Sequence, residues 1–174
     1  MEFWDVIQSR RSVRQFLPDK PVKDEQVRRL LEAATMSANA GNRQPWHFYV
    51  VRSKKVKEGL VEAANGQTFV AQAPVVIVVC ADAARSGSRY AERGRGLYCI
   101  QDTAIAATQI MLAAVDMRLG TCWVGAFDEE RAAAALHLPQ VLRPVAMLPI
   151  GYPAKEAGSR TSRRPMNEVT TFVE

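Results

Sequence analysis

At 174 residues, with 48% hydrophobic and 24% charged residues, the chain has the length and composition of one soluble globular domain with a proper core. Its net charge of +5 suits an acidic partner, whether nucleic acid, phosphate or an anionic cofactor, and the placement of the charge must separate the three. Cys80, Cys99 and Cys122 are odd in number and widely spaced, which argues against a disulfide framework or a CxxC metal site and fits a reducing cytoplasm.

Residues 2 to 10 read as a short helix, with Phe3, Val6 and Ile7 at helical spacing. Glu2 and Asp5 put acid where a signal peptide would be basic and then apolar, so secretion is not expected. The basic string Arg10, Arg11 and Arg14 follows, and Pro18 and Pro21 enforce a loop. Asp24 and Glu25 open a second helix where acids complement the N-terminal dipole, with Val27, Leu30, Leu31 and Ala34 as its buried stripe. The stretch from Ser37 to Pro45 breaks the periodicity, and Trp46, Phe48, Val50 and Val51 then read as a strand. Ser53 can cap a short helix to about Ala64, and Pro74 opens the apolar run from Val75 to Cys80, a strand buried on both faces.

From Ala83 to Gly96 the chain turns polar and carries Arg85, Arg89, Arg93 and Arg95, most simply a surface excursion. The stretch from Leu97 to Leu119 would span roughly 33 Å as a helix, enough for a bilayer. Gln101, Asp102, Gln109, Asp116 and Arg118 are costly in hydrocarbon, so it reads as a buried core helix and no membrane partner is expected. Gly120 ends that helix, and Thr121 to Val124 continue as a short strand. Asp128, Glu129 and Glu130 start an Ala-rich helix that Pro139 closes, and Val145 to Ile150 make a last core strand. The tail from Gly151 is polar, carries Arg160, Arg163 and Arg164, and ends in the strand-like run from Val169 to Val173, which has no partner strand in its own neighbourhood. Alternating helices and strands without an internal repeat imply an α+β or α/β sandwich, with strand order left open.

No GxGxxG, no GxxxxGK[ST] and no nucleophile elbow is present, so a dedicated dinucleotide or ATP domain is not expected. His47 and His137, the only histidines, lie ninety residues apart and read as structural, and no metal site is expected. Cys99 and Cys122 lack a nearby base in sequence, and Trp46 and Trp123 read first as core aromatics. What remains are basic residues and loops with free backbone groups. In RRSVR (Arg10, Arg11, Ser12, Val13, Arg14) a helix end delivers guanidinium groups and a hydroxyl into one loop, which can grip a phosphate or simply answer the helix dipole. In SANAGNRQPWHF, Asn39, Asn42 and Gln44 stand in a loop directly ahead of a buried strand.

RRSVRQF followed some thirty residues later by NRQPWHF strongly resembles the nitroreductase family of FMN oxidoreductases. LGTCWVGAF from Leu119 to Phe127, LPIGYP from Leu148 to Pro153 and SRRPMNEV from Ser162 to Val169 are similar to later segments of that family, in the same order. The resemblance implies one FMN-binding domain over residues 1–174, an α+β fold (α/β/α sandwich) with a central mixed sheet flanked by helices, and a C-terminal tail extending to the partner subunit of a homodimer. It implies that Arg10 and Ser12, with Arg11 beside them, reach the FMN phosphate and ribityl chain and that Arg14 lies toward the pyrimidine edge. Ala38, Asn39 and Ala40 would come from the second subunit, with Asn42 and Gln44 lining the same pocket. Family members commonly have Pro-Ser where this chain has Ala38 and Asn39. Thr121, Trp123, Val124 and Gly125 match positions along the dimethylbenzene side and N5, Gln67 is a candidate for the pyrimidine edge, and either Arg163 or Arg164 completes the phosphate clamp.

The implied activity is hydride transfer from NADH or NADPH through FMN to nitroaromatics, quinones or similar small electrophiles, with donor and acceptor alternating over one flavin face and no nucleic-acid partner. No side chain stands out as a catalytic acid. The segment from Arg85 to Arg95 is either a solvated face or a flap that attracts the donor's phosphates. Two other readings stay open: a flavin-fragmenting synthase of the same family, resembling the enzyme that makes dimethylbenzimidazole, and a basic nucleic-acid-binding module, for which interleaved aromatics are largely missing.

Overall fold

In the computed structural model, which describes residues 1–156 and 158–174, the chain runs through α1 (Phe3–Ser9), α2 (Asp24–Thr35), β1 (Trp46–Val51), α3 (Lys54–Ala63), α4 (Phe69–Gln72), β2 (Val75–Asp82) and α5 (Ala83–Arg93). It continues through a π-turn (Gly94–Tyr98), α6 (Cys99–Asp116), β3 (Gly120–Thr121), α7 (Glu129–Leu136) and β4 (Leu142–Gly151). Local chemistry sets many of these boundaries. The side chains of Ser53, Asp82 and Asp128 accept from the amides of Val56, Arg85 and Arg131 and so cap α3, α5 and α7. Helix α7 stops where His137 takes a left-handed conformation at φ 52°.

The strands lie in the order β1-β2-β4-β3, and every neighbouring pair is antiparallel. The sheet is mixed only through an isolated parallel bridge between Ser12 and Thr121 at its β3 edge. Alternation along β2 sends Val75, Ile77 and Val79 to one face, where they meet Leu30 and Ala34 of α2 and Ala106, Ala107 and Ile110 of α6. Val76, Val78 and Cys80 face the other way, against Leu60 and Ala63 of α3, Val70 of α4 and Ala132 of α7. The fold is therefore an α+β, α/β/α sandwich, and β2 is buried on both faces because helices cover both. Between Val79 and Cys80 the register with β4 shifts, which brings Pro144 opposite Cys80. A proline has no ladder donor, and the bulge accommodates it.

Several sequence expectations need correction. The stretch from Ala83 to Gly96 lies largely at the surface, as expected, but it is helical and joins α6 through the π-turn. The apolar composition of α6 goes into core packing, and the helix ends at Asp116, with Arg118 rather than Gly120 adopting the left-handed conformation at φ 58°. Gly120 belongs to β3, where a Cβ would sit 2.8 Å from the Val13 side chain, so the glycine allows the N-terminal segment to lie against the strand. The run from Val169 to Val173 forms no strand within this chain, and Phe172 and Val173 are exposed.

Candidate functional site

The segment after α1 is zipped along the edge of the sheet. The amide of Val13 donates to the Thr121 carbonyl at 2.9 Å, the amide of Ala154 to the Gln15 carbonyl at 2.9 Å, and Phe16 bridges Pro153. Residues 10 to 15 are thus held between β3 and the end of β4, and the tail folds over them. The result is a cavity of about 570 Å³, within the usual size range of ligand sites. Its walls carry six cationic side chains, Arg10, Arg11, Arg14, Lys155, Arg160 and Arg163, against one carboxylate, Glu156.

The six cations are not equivalent. Arg11 donates to the carbonyls of Gln8 (2.6 Å), Arg10 (3.0 Å) and Gly158 (3.2 Å), so its guanidinium closes the end of α1 and pins the tail. Arg160 donates to the carbonyls of Ile7 (2.6 Å) and Gln8 (2.8 Å) and anchors the tail on the same helix end. Arg163 bonds locally to Thr161 and Ser162, whereas Arg164 is turned to Glu168 at 3.2 Å and is absent from the cavity wall. Arg10 is different: among the described residues its side chain donates no hydrogen bond. Burial, then the charges of Arg160, Arg163 and Arg11, hold its guanidinium below the ordinary arginine value. A partly buried cation pressed by three others is a site for an anion.

The remaining predicted residues fall into two groups. Near the cavity, the Arg14 guanidinium stands 6.0 Å from the centre of the Phe69 ring, and Ser12 lies against Cys122. Burial pushes the Cys122 thiol up, offset in part by Arg14, by the Ser12 hydroxyl and by Arg10. Thr121 is buried with its hydroxyl unpartnered, and the Val124 backbone exchanges two bonds with Met147. Trp123 is partly exposed, and a Cβ at Gly125 would meet its indole nitrogen at 2.9 Å. Gln67 ties the carbonyls of Ala64 and Ala126 together.

Of the residues just described only Ser12 and Arg14 line the cavity wall, and the second group, Ala38, Asn39, Asn42 and Gln44, stands apart from it altogether. Ala38, Asn39 and Ala40 instead border an open groove against Asp102 and Ile105 of α6. The Asn39 amide is engaged within the loop, accepting from the Gln44 amide (2.8 Å) and donating to the Ser37 carbonyl (3.2 Å). Gln44 donates to the Asn42 side chain at 3.0 Å, and Gly41, Asn42 and Gln44 all have positive φ, so the loop is held in an unusual backbone shape. Asp102, 4% exposed, holds the loop by accepting from the Ala40 amide at 3.1 Å, while its other oxygen has no partner. Burial raises its carboxyl above the ordinary value, with the Ala40 amide opposing.

Sequence reasoning did not single out Asp102, Arg160 or Lys155. The tail's basic character was the only signal for the last two, and an aspartate in an apolar helix gave none. Among the described residues, no group of three His, Cys, Asp or Glu side chains is arranged to hold a metal ion, and all three cysteines are free and buried.

The chain matches the model of the nitroreductase family over residues 7–71 and 63–152. It is 33% identical over 164 residues to a protein of Methanothermobacter thermautotrophicus described as a putative NADH dehydrogenase/NAD(P)H nitroreductase, covering 92% of this chain and 82% of that protein. It is 30% identical over 178 residues to the FMN reductase [NAD(P)H] of Bacillus subtilis, covering 94% and 71% respectively. The solved structure of NfrA2 from B. megaterium superposes with a TM-score of 0.89 at 28% identity, over 98% of this chain and 74% of that one. A family match over most of the chain, similarity across nearly its full length and a shared fold lead to one statement: this chain belongs to the nitroreductase family.

Proposed function

We propose that the protein is an FMN-dependent NAD(P)H oxidoreductase that acts as a homodimer on small electrophiles such as quinones and nitroaromatics, with residues 1–174 working as one cofactor-binding unit in the cytoplasm. One observation carries the reading: Arg10, which donates no side-chain hydrogen bond among the described residues and is crowded by cations, lines a cavity whose cationic wall suits an anion. A terminal phosphate fits, since it accepts paired guanidinium donors and removes the mutual repulsion.

In this reading Arg10 and Ser12 hold the phosphate and ribityl chain, Arg163 closes the clamp with Arg160 and Lys155 beside it, Arg11 braces the wall, and Gln67 is a candidate for the pyrimidine edge. Arg14, Thr121, Trp123, Val124 and Gly125 then border the ring, with Arg14 at its pyrimidine edge. FMN, when bound, accepts and donates hydride at N5. The Arg14 cation favours the negative charge that reduction leaves at the pyrimidine edge of a partly dry pocket. Donor and acceptor take turns over one flavin face, and solvent supplies the proton.

The homodimer completes the site. Ala38, Asn39, Asn42 and Gln44 stand apart from the arginine cavity in one chain, and a twofold copy brings the loop to the partner's cofactor. Exposed apolar side chains on Trp4, Met36, Ile105, Phe172 and Val173 supply surface for such a contact, the last two on the C-terminal tail.

The test is the purified protein itself. Yellow visible absorbance, a mass of two chains in solution, and NADH or NADPH oxidation with a quinone showing parallel-line kinetics are expected. Oxygen-dependent destruction of the bound flavin would favour a flavin-fragmenting synthase. A colourless protein that shifts DNA and takes up no added FMN would overturn the reading.

A further inference from the structure

We propose that α5 and the π-turn after it form the recognition surface for the phosphate-bearing half of the dinucleotide donor, with Arg89 and Arg93 as the contact residues. The inference rests on the flavin reading above, because that reading sets the neighbouring loop at the cofactor.

The charge balance of the segment comes first. Its four arginines face a single acid, and they separate by partner. Arg95 pairs with Glu92 at 3.3 Å, and Arg85 donates to the Arg43 carbonyl. Arg89 and Arg93 have no carboxylate partner among the described residues. The Arg89 guanidinium lies 5.5 Å from the centre of the Tyr90 ring, and that of Arg93 lies 5.3 Å from the Tyr98 ring while its Nε donates to the Tyr98 hydroxyl at 2.9 Å. Both arginines are exposed, yet aromatic faces hold them in place, so they lose less freedom when an anion arrives.

The backbone is bent to make this arrangement. Tyr90 and Tyr98 are eight residues apart, which is about 12 Å along a straight helix, yet their rings meet edge to face at 5.2 Å. The chain folds back on itself at Ala91, which takes φ 47°, ψ −134°, a conformation that ordinarily calls for glycine. The return leg lies so close that a Cβ at Gly94 would sit 2.6 Å from the Ser86 carbonyl. Backbone strain held in place by packing beside a polar, cationic surface points to recognition rather than to simple coverage of the core.

The surface is also fastened to the loop of residues 38 to 44. Arg43 donates to the Ser88 hydroxyl at 2.7 Å and to the Arg85 carbonyl at 3.3 Å, and Gly41 has no room for a side chain because the Tyr90 hydroxyl is there. Loop and cluster therefore form one unit, and the arginines stand beside the ring that the loop borders. The FMN phosphate belongs to the other cationic cavity, so this second cluster calls for another anion. A dinucleotide donor brings a pyrophosphate, in one form a ribose 2′-phosphate as well, and an adenine that can stack on tyrosine and arginine.

The test uses the double variant Arg89→Gln/Arg93→Gln, loaded with FMN, against NADH, NADPH and the neutral donor 1-benzyl-1,4-dihydronicotinamide. Loss of two charge-assisted contacts should raise KM for NADH and NADPH by about tenfold or more, with kcat within about twofold. FMN content and KM for the neutral donor should not change. A larger effect on NADPH assigns the arginines to the 2′-phosphate, and equal effects assign them to the pyrophosphate. Rising salt should raise KM for both nucleotides in the native enzyme and not in the variant. Equal losses with the neutral donor, or no change with any donor, overturn the proposal. Failure of the native protein to bind FMN overturns the flavin reading instead.

Discussion

Replacing Arg10 by glutamine should move two measurements in opposite directions. Among the described residues Arg10 makes no hydrogen bond, and the charges depressing its pKa are all cationic neighbours, Arg160, Arg163 and Arg11. In the cofactor-free protein burial and cationic neighbours therefore both work against the charged side chain, and the Cys122 thiol opposes them with the smallest effect. Because the side chain is only partly buried, solvent screening holds the repulsion to about 0.5–1 kcal/mol in total at low salt. Arg10→Gln should thus melt slightly higher than the native protein without FMN, and added salt should narrow the difference. With FMN the sign reverses. A charge-assisted contact to phosphate is worth about 1.5–3 kcal/mol, so FMN affinity should fall roughly 10- to 100-fold, read by quenching of flavin fluorescence. Inorganic phosphate should stabilise the cofactor-free native protein more than the variant. An unchanged FMN affinity together with a lower melting temperature would refute the argument, since Arg10 would then be a structural residue.

Asp102→Ala should free the Ala40 amide and cost about 1–3 kcal/mol, while Asp102→Asn keeps an acceptor there and should restore both stability and FMN binding at the dimer. The native carboxyl lies above its unfolded value of 3.8, so the folded state holds the proton longer. The stabilisation that protonation gives is complete below 3.8 and is lost as pH rises through the raised native value; Asp102→Asn should remove that part of the slope, checked by urea unfolding across acidic to neutral pH. Gly120→Ala should drive a methyl into the branched Val13 side chain, costing about 1–3 kcal/mol and weakening FMN binding by displacing Ser12 and Arg14; because the Val13 Cβ itself lies 2.8 Å from the added methyl, adding Val13→Gly should recover more of the FMN binding than adding Val13→Ala, and equal failure of both would reject the contact. Ala91→Gly should raise the unfolding free energy by about 1 kcal/mol, because relief of the φ 47° backbone exceeds the entropic cost of glycine.

Where local chemistry decides, the sequence was readable. Ser53 and Asp128 signalled helix starts because a capping oxygen acts over three residues, and the unbroken run from Val75 to Cys80 signalled a strand covered on both sides because no polar face interrupts it. The polar stretch around Arg85 was legible as surface but not as helix, because its polarity reflects what it presents to solvent and folding back at Ala91 leaves no local signature. Arg10, Ser12 and Arg14 were legible as a cationic loop from their spacing alone. That Arg163 rather than Arg164 lines the cavity, and that Arg160 does so as well, was not, because neighbouring arginines in a polar tail differ only in which way the folded chain turns them.

The sequence by itself determined most of the elements, the arginine loop and the family likeness, all of which are short-range patterns of side-chain type and order. Only the tertiary structure decided that Gly120 admits Val13 to the sheet edge, that Asp102 grips a loop sixty-two residues away, and that Tyr90 and Tyr98 meet. The physical reason is that charge repulsion, steric exclusion and buried hydrogen bonds depend on distance in space, and distance is fixed only once the sheet and its two helical layers have packed.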